Sequence, residues 1–443
     1  MKVIQIILIS IITIMTVLWI AVNADTLLIT REIFAWRSLL LQYSGILAIA
    51  VMSLGMLLAM RFTWVEDRLN GLDKAYRLHK WLGITGLVYV LSHWLLINVP
   101  RWLVEGGLLI KPARVARPPE TVEIFKFFQS QRGFAEQIGE YAFYLFVALM
   151  VIALTKRFPY RYFFMTHRWI ALVYLGLIIH SVVLMNYSYW MTILGLLIAP
   201  LMLLGTYAAI TSLVQRIGKS RKVVGEVSQI SYLDGVKINA ITIQLKSQWL
   251  GHYAGQFAFV TFDQHEGAHP FSITSAWLGD GKLSFLIKAL GDYTSTLNSK
   301  LKVGQSVVVE GPYGRFNFEN KSKRQIWIGG GIGITPFIAR MKSLAMNHDG
   351  CLIDLFHTTT DVDQAALLLV KQDAEAAGVK LHLMINSQDG YLDGEIIRAK
   401  IPDWKQADIW FCGPALFGKK IRSDLVMNGL DEHKFHQELF EMR

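Results

Sequence analysis

The chain has 443 residues, of which 53% are hydrophobic and 18% charged, with a mean hydropathy of +0.36 and a formal net charge of +10. So large an apolar excess excludes an ordinary soluble protein of this length and points to a membrane protein. The excess ends before about residue 215, and the composition beyond residue 220 is that of a soluble domain.

About 20 apolar residues are needed to cross roughly 30 Å of hydrocarbon. Residues 3–24, 38–60 and 81–100 carry no Asp, Glu, Lys or Arg, which predicts three spans. The first is expected to be a retained helix and not a cleavable signal, because its apolar core is long and no small-x-small site follows it. A fourth span is expected over 139–155, after an amphipathic stretch at 120–138. The uncharged run 169–215 is long enough for two more, divided near Asn186, Tyr187 and Ser188.

Arg61, Arg68, Lys74, Arg77 and Lys80 follow span two; Lys156, Arg157, Arg161 and Arg168 follow span four; Arg216, Lys219, Arg221 and Lys222 follow span six. All three clusters fall on one side, the cytoplasmic one by the positive-inside rule. The loop between spans three and four carries Arg101, Lys111, Arg114 and Arg117, diluted by Glu105, Glu120 and Glu123. The amino terminus and the soluble half are therefore expected in the cytoplasm of a multi-pass plasma (inner) membrane protein. The basic balance is then a topology signal and predicts no nucleic-acid partner. Cys351 and Cys412 are too few for a disulfide framework or a zinc site, which suits a reducing compartment.

Short β-rich runs at 223–230, 240–245, 256–262, 283–290 and 306–311, separated by turn residues, predict a small barrel over 220–320. Between two of them stands the string HPFSITS, from His269 to Ser275, whose Ser272 hydroxyl could bond a flavin ring nitrogen. Lys288 and the turn from Gly291 to Thr294 could meet a pyrophosphate. Over 321–443 strands and helices alternate, the pattern of an α/β nucleotide-binding domain. Its opening strand runs into GGGIGITP and a helix, so the backbone of Gly330, Gly331, Ile332, Gly333, Thr335 and Pro336 can approach a phosphate at the helix N-terminus.

Four histidines stand in the apolar half: His79 and His93 on span three, His167 and His180 on span five. Ionisable groups at this depth are functional candidates by default. The 14-residue step from His79 to His93 is about 21 Å along a helix and keeps both rings on nearly one face. Spans three and five run in the same direction, so His79 is expected to meet His167 and His93 to meet His180. Each pair of neutral imidazoles could ligate one haem iron. The 13-residue step from His167 to His180 does not fit an undistorted helix. It predicts either a loop at His167 or a π-type bulge or tilt nearby.

These motifs cover nearly the whole chain, and together they resemble the NADPH oxidase and ferric reductase superfamily in its compact prokaryotic form. The first half, 1–219, is similar to the ferric reductase transmembrane family. The second half is similar to a ferredoxin-NADP reductase module, on the strength of HPFSITS, GPYG at 311–314, GGGIGITP and CGP at 412–414. The resemblance implies a six-helix transmembrane bundle with two b-type haems, then a β-barrel FAD-binding domain and an α/β NADPH-binding domain. It implies that His269, Pro270, Phe271, Ser272, Ile273, Thr274 and Ser275 bind FAD, that Gly330 to Pro336 hold the nucleotide phosphates, and that Cys412, Gly413 and Pro414 lie beside the nicotinamide. It also places Phe440 over the flavin ring, where it would gate hydride transfer.

The implied activity carries electrons from NAD(P)H through FAD and the haems at His79/His167 and His93/His180 to an outer acceptor. Oxygen giving superoxide is expected first; ferric chelate, then a partner protein or quinone, are the alternatives. No obligate protein partner beyond the lipid bilayer is evident. A non-catalytic membrane sensor that only binds nucleotide is the alternative of another class. Two departures bear on this. Ile97 stands where animal oxidases carry a further histidine. His357-Thr-Thr-Thr-Asp361 offers no base for a 2′-phosphate, so NADH is expected to serve as well.

Overall fold

The computed structural model describes residues 2–110, 120–155, 157–319 and 322–438. It divides into two compact units. One takes the residues up to Val65 and Lys74–Ile217; the other takes Glu66–Asp73 and the chain from Gly218 onward.

The first unit contains six helices long and apolar enough to cross a membrane: Val3–Val22, Ile33–Ala59, Leu72–Glu105, Arg132–Leu154, Tyr160–Leu184 and Ile193–Leu213. Each expected span falls on one of these helices, but the second, fourth and fifth begin earlier than expected, at Ile33, Arg132 and Tyr160. The third overruns its uncharged stretch at both ends, taking in Asp73, Lys74, Arg77 and Lys80 at its start. Backbone hydrogen bonding continues a helix wherever the next residue can join it, while charge marks only where hydrocarbon ends. Inside the bundle Leu47, Ala50, Val51, Phe146, Tyr174 and Ile198 are fully buried, whereas Ile6, Val88, Leu196 and Leu203 lie on exposed faces. Such outward apolar faces suit lipid and would be costly in water. One buried polar pair within the bundle satisfies itself where no water reaches: the Ser53 hydroxyl and the Tyr174 hydroxyl lie 2.7 Å apart.

The fifth span is two helical pieces, Tyr160–His167 and Trp169–Leu184, joined at Arg168. There the Ala171 amide donates to the Arg168 carbonyl, a tighter three-residue closure of 3.1 Å. The irregularity expected near His167 is thus a helix junction, neither a loop nor a π-bulge. The span ends at Leu184, and Gln42 of span two ties off that end: its amide donates to the Leu184 carbonyl, and its oxygen accepts from the Asn186 amide at 2.9 Å. Asn186 then caps the 3₁₀ turn Tyr187–Met191 by accepting from the Ser188 amide, so the predicted divider is built from the residues named for it.

In the second unit, six antiparallel strands form one sheet: β1 (Lys222–Leu233), β2 (Ile238–Leu245), β3 (Phe257–Thr261), β4 (His269–Ser272), β5 (Lys282–Lys288) and β6 (Ser306–Tyr313), in the order β4-β3-β6-β1-β2-β5. The expected barrel is not a continuous one. Among the described residues its two ends are joined just past β4, where Ile273 bridges Phe285 and the Thr274 amide donates to the Ser284 carbonyl at 2.8 Å. The alternation along β2 and β5 sends Ile241, Ile243, Leu283, Phe285 and Ile287 into one core.

The last five strands are parallel: β7 (Arg324–Gly330), β8 (Leu352–Thr359), β9 (Lys380–Ile385), β10 (Asp408–Cys412) and β11 (Phe435–Gln437), in the order β11-β10-β7-β8-β9. Helices Thr335–Met346, Gln364–Ala376 and Ala415–Met427 lie in three of the four connections, and the shorter helix Gly394–Lys400 lies in the fourth, between β9 and β10. Phe316 and Phe318, just after β6, pack edge-on against Phe337, and both also contact Trp410. The segment after β6 therefore packs into the core of the parallel sheet.

Candidate functional site

In the membrane-type unit the third and fifth spans bring the four histidines together as two pairs. The ring centroids of His79 and His167 are 5.9 Å apart, and those of His93 and His180 are 6.3 Å apart. Three of the four rings are held from behind. His79 Nδ1 lies 2.8 Å from the Gly55 carbonyl and His180 Nδ1 lies 2.9 Å from the Ala135 carbonyl. A carbonyl can only accept, so these nitrogens carry the proton and Nε2 keeps its lone pair. His93 Nδ1 lies 3.0 Å from the Ser44 hydroxyl, which itself donates to the Leu41 carbonyl, so Nδ1 donates here too. The His167 ring stacks on Phe163 at 4.9 Å, and its Nδ1 has no hydrogen-bond partner among the described residues.

This is the arrangement of metal-ligating imidazoles, in which the remote nitrogen bonds a fixed acceptor and the near one is left basic. Two iron–nitrogen bonds of about 2 Å plus two ring half-widths make a centroid separation of about 6 Å. Among the described residues no group of three or more His, Cys, Asp or Glu stands together. A bare ion needs about four protein ligands, whereas two facing imidazoles suffice when a macrocycle supplies the remaining donors. The donor set fits haem. Ser44, Gly55 and Ala135 were not anticipated from sequence; small residues and backbone carbonyls on spans two and four carry no chemical signature of their own.

In the second unit β4 is itself His269–Ser272, at the end of its sheet and paired with β3. His269 stacks on Tyr293 at 4.6 Å, and burial pulls its imidazole down to about 4. The next residues are locked in place. Thr274 is buried, the Ser275 hydroxyl accepts from the Ser284 amide at 3.1 Å, and its carbonyl accepts from His252 Nε2 at 3.0 Å. Two of the candidate phosphate contacts are engaged within the protein. The Lys288 ammonium is ion-paired with Asp361 at 2.5 Å. The Thr294 hydroxyl accepts from the amides of Leu290 and Gly291 at 3.0 and 3.1 Å, capping the helix Asp292–Lys300.

The glycine-rich turn leaves β7 at Gly330, passes through a 3₁₀ turn at Gly331–Ile334 and enters the helix Thr335–Met346 with Pro336 in its first turn. Gly331 has φ +55 and open space where a side chain would stand, which leaves backbone accessible to a phosphate. A Cβ on Gly333 would collide with the Cys412 carbonyl, 2.6 Å from its carbon. This turn and the Cys412-Gly413-Pro414 string therefore form one surface: Cys412 pairs with Gly329, and a Cβ built on Gly413 would stand 3.2 Å from the Gly330 backbone. Cys412 is buried, and burial pushes its thiol well above the usual range, so it stays protonated. At the end of β8 the buried His357 bonds the Gly329 carbonyl, the Thr358 hydroxyl donates to Asn386, and the Thr359 hydroxyl donates to the Asp361 carbonyl. Phe440 lies outside the described residues.

Residues 44–178 match the family of the ferric reductase-like transmembrane component, and residues 226–317 match a FAD-binding domain family. The chain fits the NADPH oxidase and ferric reductase superfamily. The first match contains three of the four paired histidines, His79, His93 and His167, and ends two residues before His180; the second contains β4 with Ser272. The respiratory burst oxidase homolog protein E of Arabidopsis thaliana is 32% identical over 215 residues, covering 42% of this chain and 22% of that protein. The glycine betaine monooxygenase reductase subunit of Chromohalobacter salexigens is 24% identical over 188 residues, covering 39% of this chain and 48% of that protein. The chain thus spans about half the length of that reductase and about a fifth of the burst oxidase homolog. Among solved structures, the cytochrome b5 reductase domain of Ulva prolifera nitrate reductase is similar at 19% identity and a TM-score of 0.43, with 50% of this chain and 98% of that chain covered.

Proposed function

We propose that this chain is a multi-pass membrane oxidoreductase that takes electrons from a cytoplasmic nicotinamide nucleotide and delivers them, by way of FAD and two bis-histidine haems, to an acceptor on the opposite side. The observation that carries it is the double pairing of His79 with His167 and His93 with His180, with Nδ1 fixed on three of the four rings. FAD would take a hydride and release electrons singly, and the haems would conduct them, chemistry that no side chain here supplies.

The protein's own part is binding and exclusion. The turn at Gly330, Gly331, Ile332 and Gly333 with Thr335 and Pro336 would hold the nucleotide phosphates, and Cys412 to Pro414 would border the nicotinamide. A protonated Cys412 puts no negative charge beside a departing hydride. The strand from His269 to Ser272, with Ile273, Thr274 and Ser275, would hold the flavin. Ser272 would sit near the reactive nitrogen, and Phe440 would cover the ring until nucleotide displaces it. Lys288 shares its charge with Asp361, so a pyrophosphate would have to compete for it. The lack of an unpaired base at 357–361 supports NADH as well as NADPH. The apolar bundle would keep water from the imidazoles that hold the haems.

Oxygen is the proposed acceptor, supported by the likeness to a respiratory burst oxidase homolog. The match of 44–178 to the ferric reductase-like component favours ferric chelate as the second reading. Purified protein with FAD and NADPH separates them. Cytochrome c reduction abolished by superoxide dismutase supports oxygen; ferrous chelate formation that persists without oxygen supports the alternative. NADPH oxidation with no anaerobic haem reduction, or a protein with no haem absorbance, would sink both.

A further inference from the structure

The four paired histidines do not rest on their surroundings in the same way, and one contact stands apart. The His180 ring lies directly against the bare backbone of the fourth span at Gly139. A Cβ built on Gly139 would collide with the Nδ1 edge of the ring, far inside van der Waals contact of Nδ1 and Cε1 and only 2.9 Å from Cγ. The glycines beside the partner rings have room: a Cβ on Gly45 would meet His93 Cε1 at 3.5 Å, and one on Gly55 would meet His79 Nδ1 at 4.0 Å, both ordinary contacts. At Gly139 the missing side chain is therefore a steric requirement.

The same contact sets the hydrogen bond. His180 Nδ1 donates to the Ala135 carbonyl at 2.9 Å. Ala135 lies one turn before Gly139 in the helix Arg132–Leu154, so its carbonyl is the one that a regular helix pairs with the amide of residue 139. A carbonyl has a second lone pair, and a ring can reach it inside a helix only if no side chain shields that flank. Gly139 provides that opening.

We infer that Gly139 is a positioning residue for the outer histidine pair: its bare backbone seats the His180 imidazole and opens the Ala135 carbonyl to it, fixing the ring rotation and leaving Nε2 as the basic nitrogen opposite His93. The inference rests on the two-haem reading proposed above. It assigns to span four, which contributes no ligand, control over how one haem is held. Removing such an outer anchor costs roughly 10–100-fold in metal affinity where it has been measured. The inner pair is untouched by this seat.

The test is Gly139→Ala in the full-length chain, with Gly133→Ala as the control. Gly133 lies on the same helix and has nothing within 4 Å of a built Cβ. Haem per chain, the low-spin ferric resonance spectrum and the two reduction midpoints are measured. The expected result is loss of about one of two haems, or a shifted resonance and midpoint for one haem only, with the other unchanged and Gly133→Ala like wild type. Two haems with unaltered resonances and midpoints in Gly139→Ala overturn the inference while leaving the two-haem reading intact. A wild-type protein without haem overturns that reading, and this inference falls with it. If Gly139→Ala fails to fold, the Gly139→Ala/His180→Ala double variant decides, because removing the ring removes the collision. Recovery to the level of His180→Ala supports the seat, and no recovery overturns it.

Discussion

Gly331 and Gly333 are two positions apart in the same turn, yet a methyl group would act on them through different physics. At Gly331 there is open space and a left-handed φ of +55, so Gly331→Ala should cost only backbone strain, about 1–2 kcal/mol. Its methyl group would nevertheless fill the cradle, and the expected result is a severalfold higher KM for NADPH with flavin content retained. At Gly333 a methyl group collides with the Cys412 backbone. Gly333→Ala should lower stability by about 1–3 kcal/mol through overpacking. Thermal unfolding of both variants, alongside steady-state kinetics, checks the contrast, and equal effects on melting and KM would contradict it. His269 gives a pH prediction of its own. Its imidazole is held at about 4 in the folded protein, against an ordinary value of 6.5. A depressed pKa contributes stability that is full above the unfolded value and is lost as pH falls through the folded one. Stability should therefore decline between about pH 6.5 and 4, and His269→Phe, which can keep the stack on Tyr293, should flatten that decline. An unchanged slope in urea unfolding across this window would remove His269 as its source.

The element that departs most from its sequence expectation is the segment Glu66–Asp73. It follows span two and runs into the first two residues of span three, but it belongs to the second unit. Its anchors explain why: the Glu66 carboxylate accepts from the Gly314 amide at 2.6 Å, and Asp67 is ion-paired with Arg315. Burial raises the Glu66 pKa, against the pull of the Gly314 amide, Arg221 and Arg315. A carboxyl with a raised folded pKa favours folding at low pH and loses that contribution as pH rises through the folded value. Glu66→Gln keeps an oxygen for Gly314 without a charge to bury. It should melt at or above wild type at pH 7, with the difference shrinking toward pH 4.5. Glu66→Ala should lose about 1–2 kcal/mol. A Glu66→Gln variant that melts with Glu66→Ala at pH 7 would show that the charge, not the acceptor, matters.

Legibility from sequence follows the same division between local and long-range causes. The six spans were readable because hydropathy is set residue by residue, and an irregularity near His167 was readable because a 13-residue step conflicts with helix periodicity, whereas its form, a helix junction at Arg168, was not. Strand β11 was missed because it is three residues long and exists only beside β10. The pairing of Lys288 with Asp361 and the seat at Gly139 were unreadable for a related reason: their partners lie 73 and 41 residues away, and nothing local in either segment marks them.

For the whole molecule, the strongest untested claim is direction. Every cluster of Lys and Arg that follows an even-numbered span falls on one side, and the soluble unit follows the last of them. Arginine and lysine near span ends set orientation because moving them outward across the bilayer is opposed during insertion. The opposite side then receives the Asn186-capped turn between spans five and six, next to the end of span five that carries His180. Ser188 is an exposed residue of that turn, and Lys302 is an exposed residue of the soluble unit. In a background with Cys351 and Cys412 replaced, Ser188→Cys should react with a membrane-impermeant maleimide on intact cells, and Lys302→Cys only after permeabilisation. The reverse pattern would put the nucleotide site outside, where no cytoplasmic reductant reaches it, and would turn the proposed electron path around. Labelling of both positions from one side would do more damage still. A single candidate crossing, the helix Ile193–Leu213, lies between Ser188 and Lys302, so same-side labelling would require that this helix does not cross.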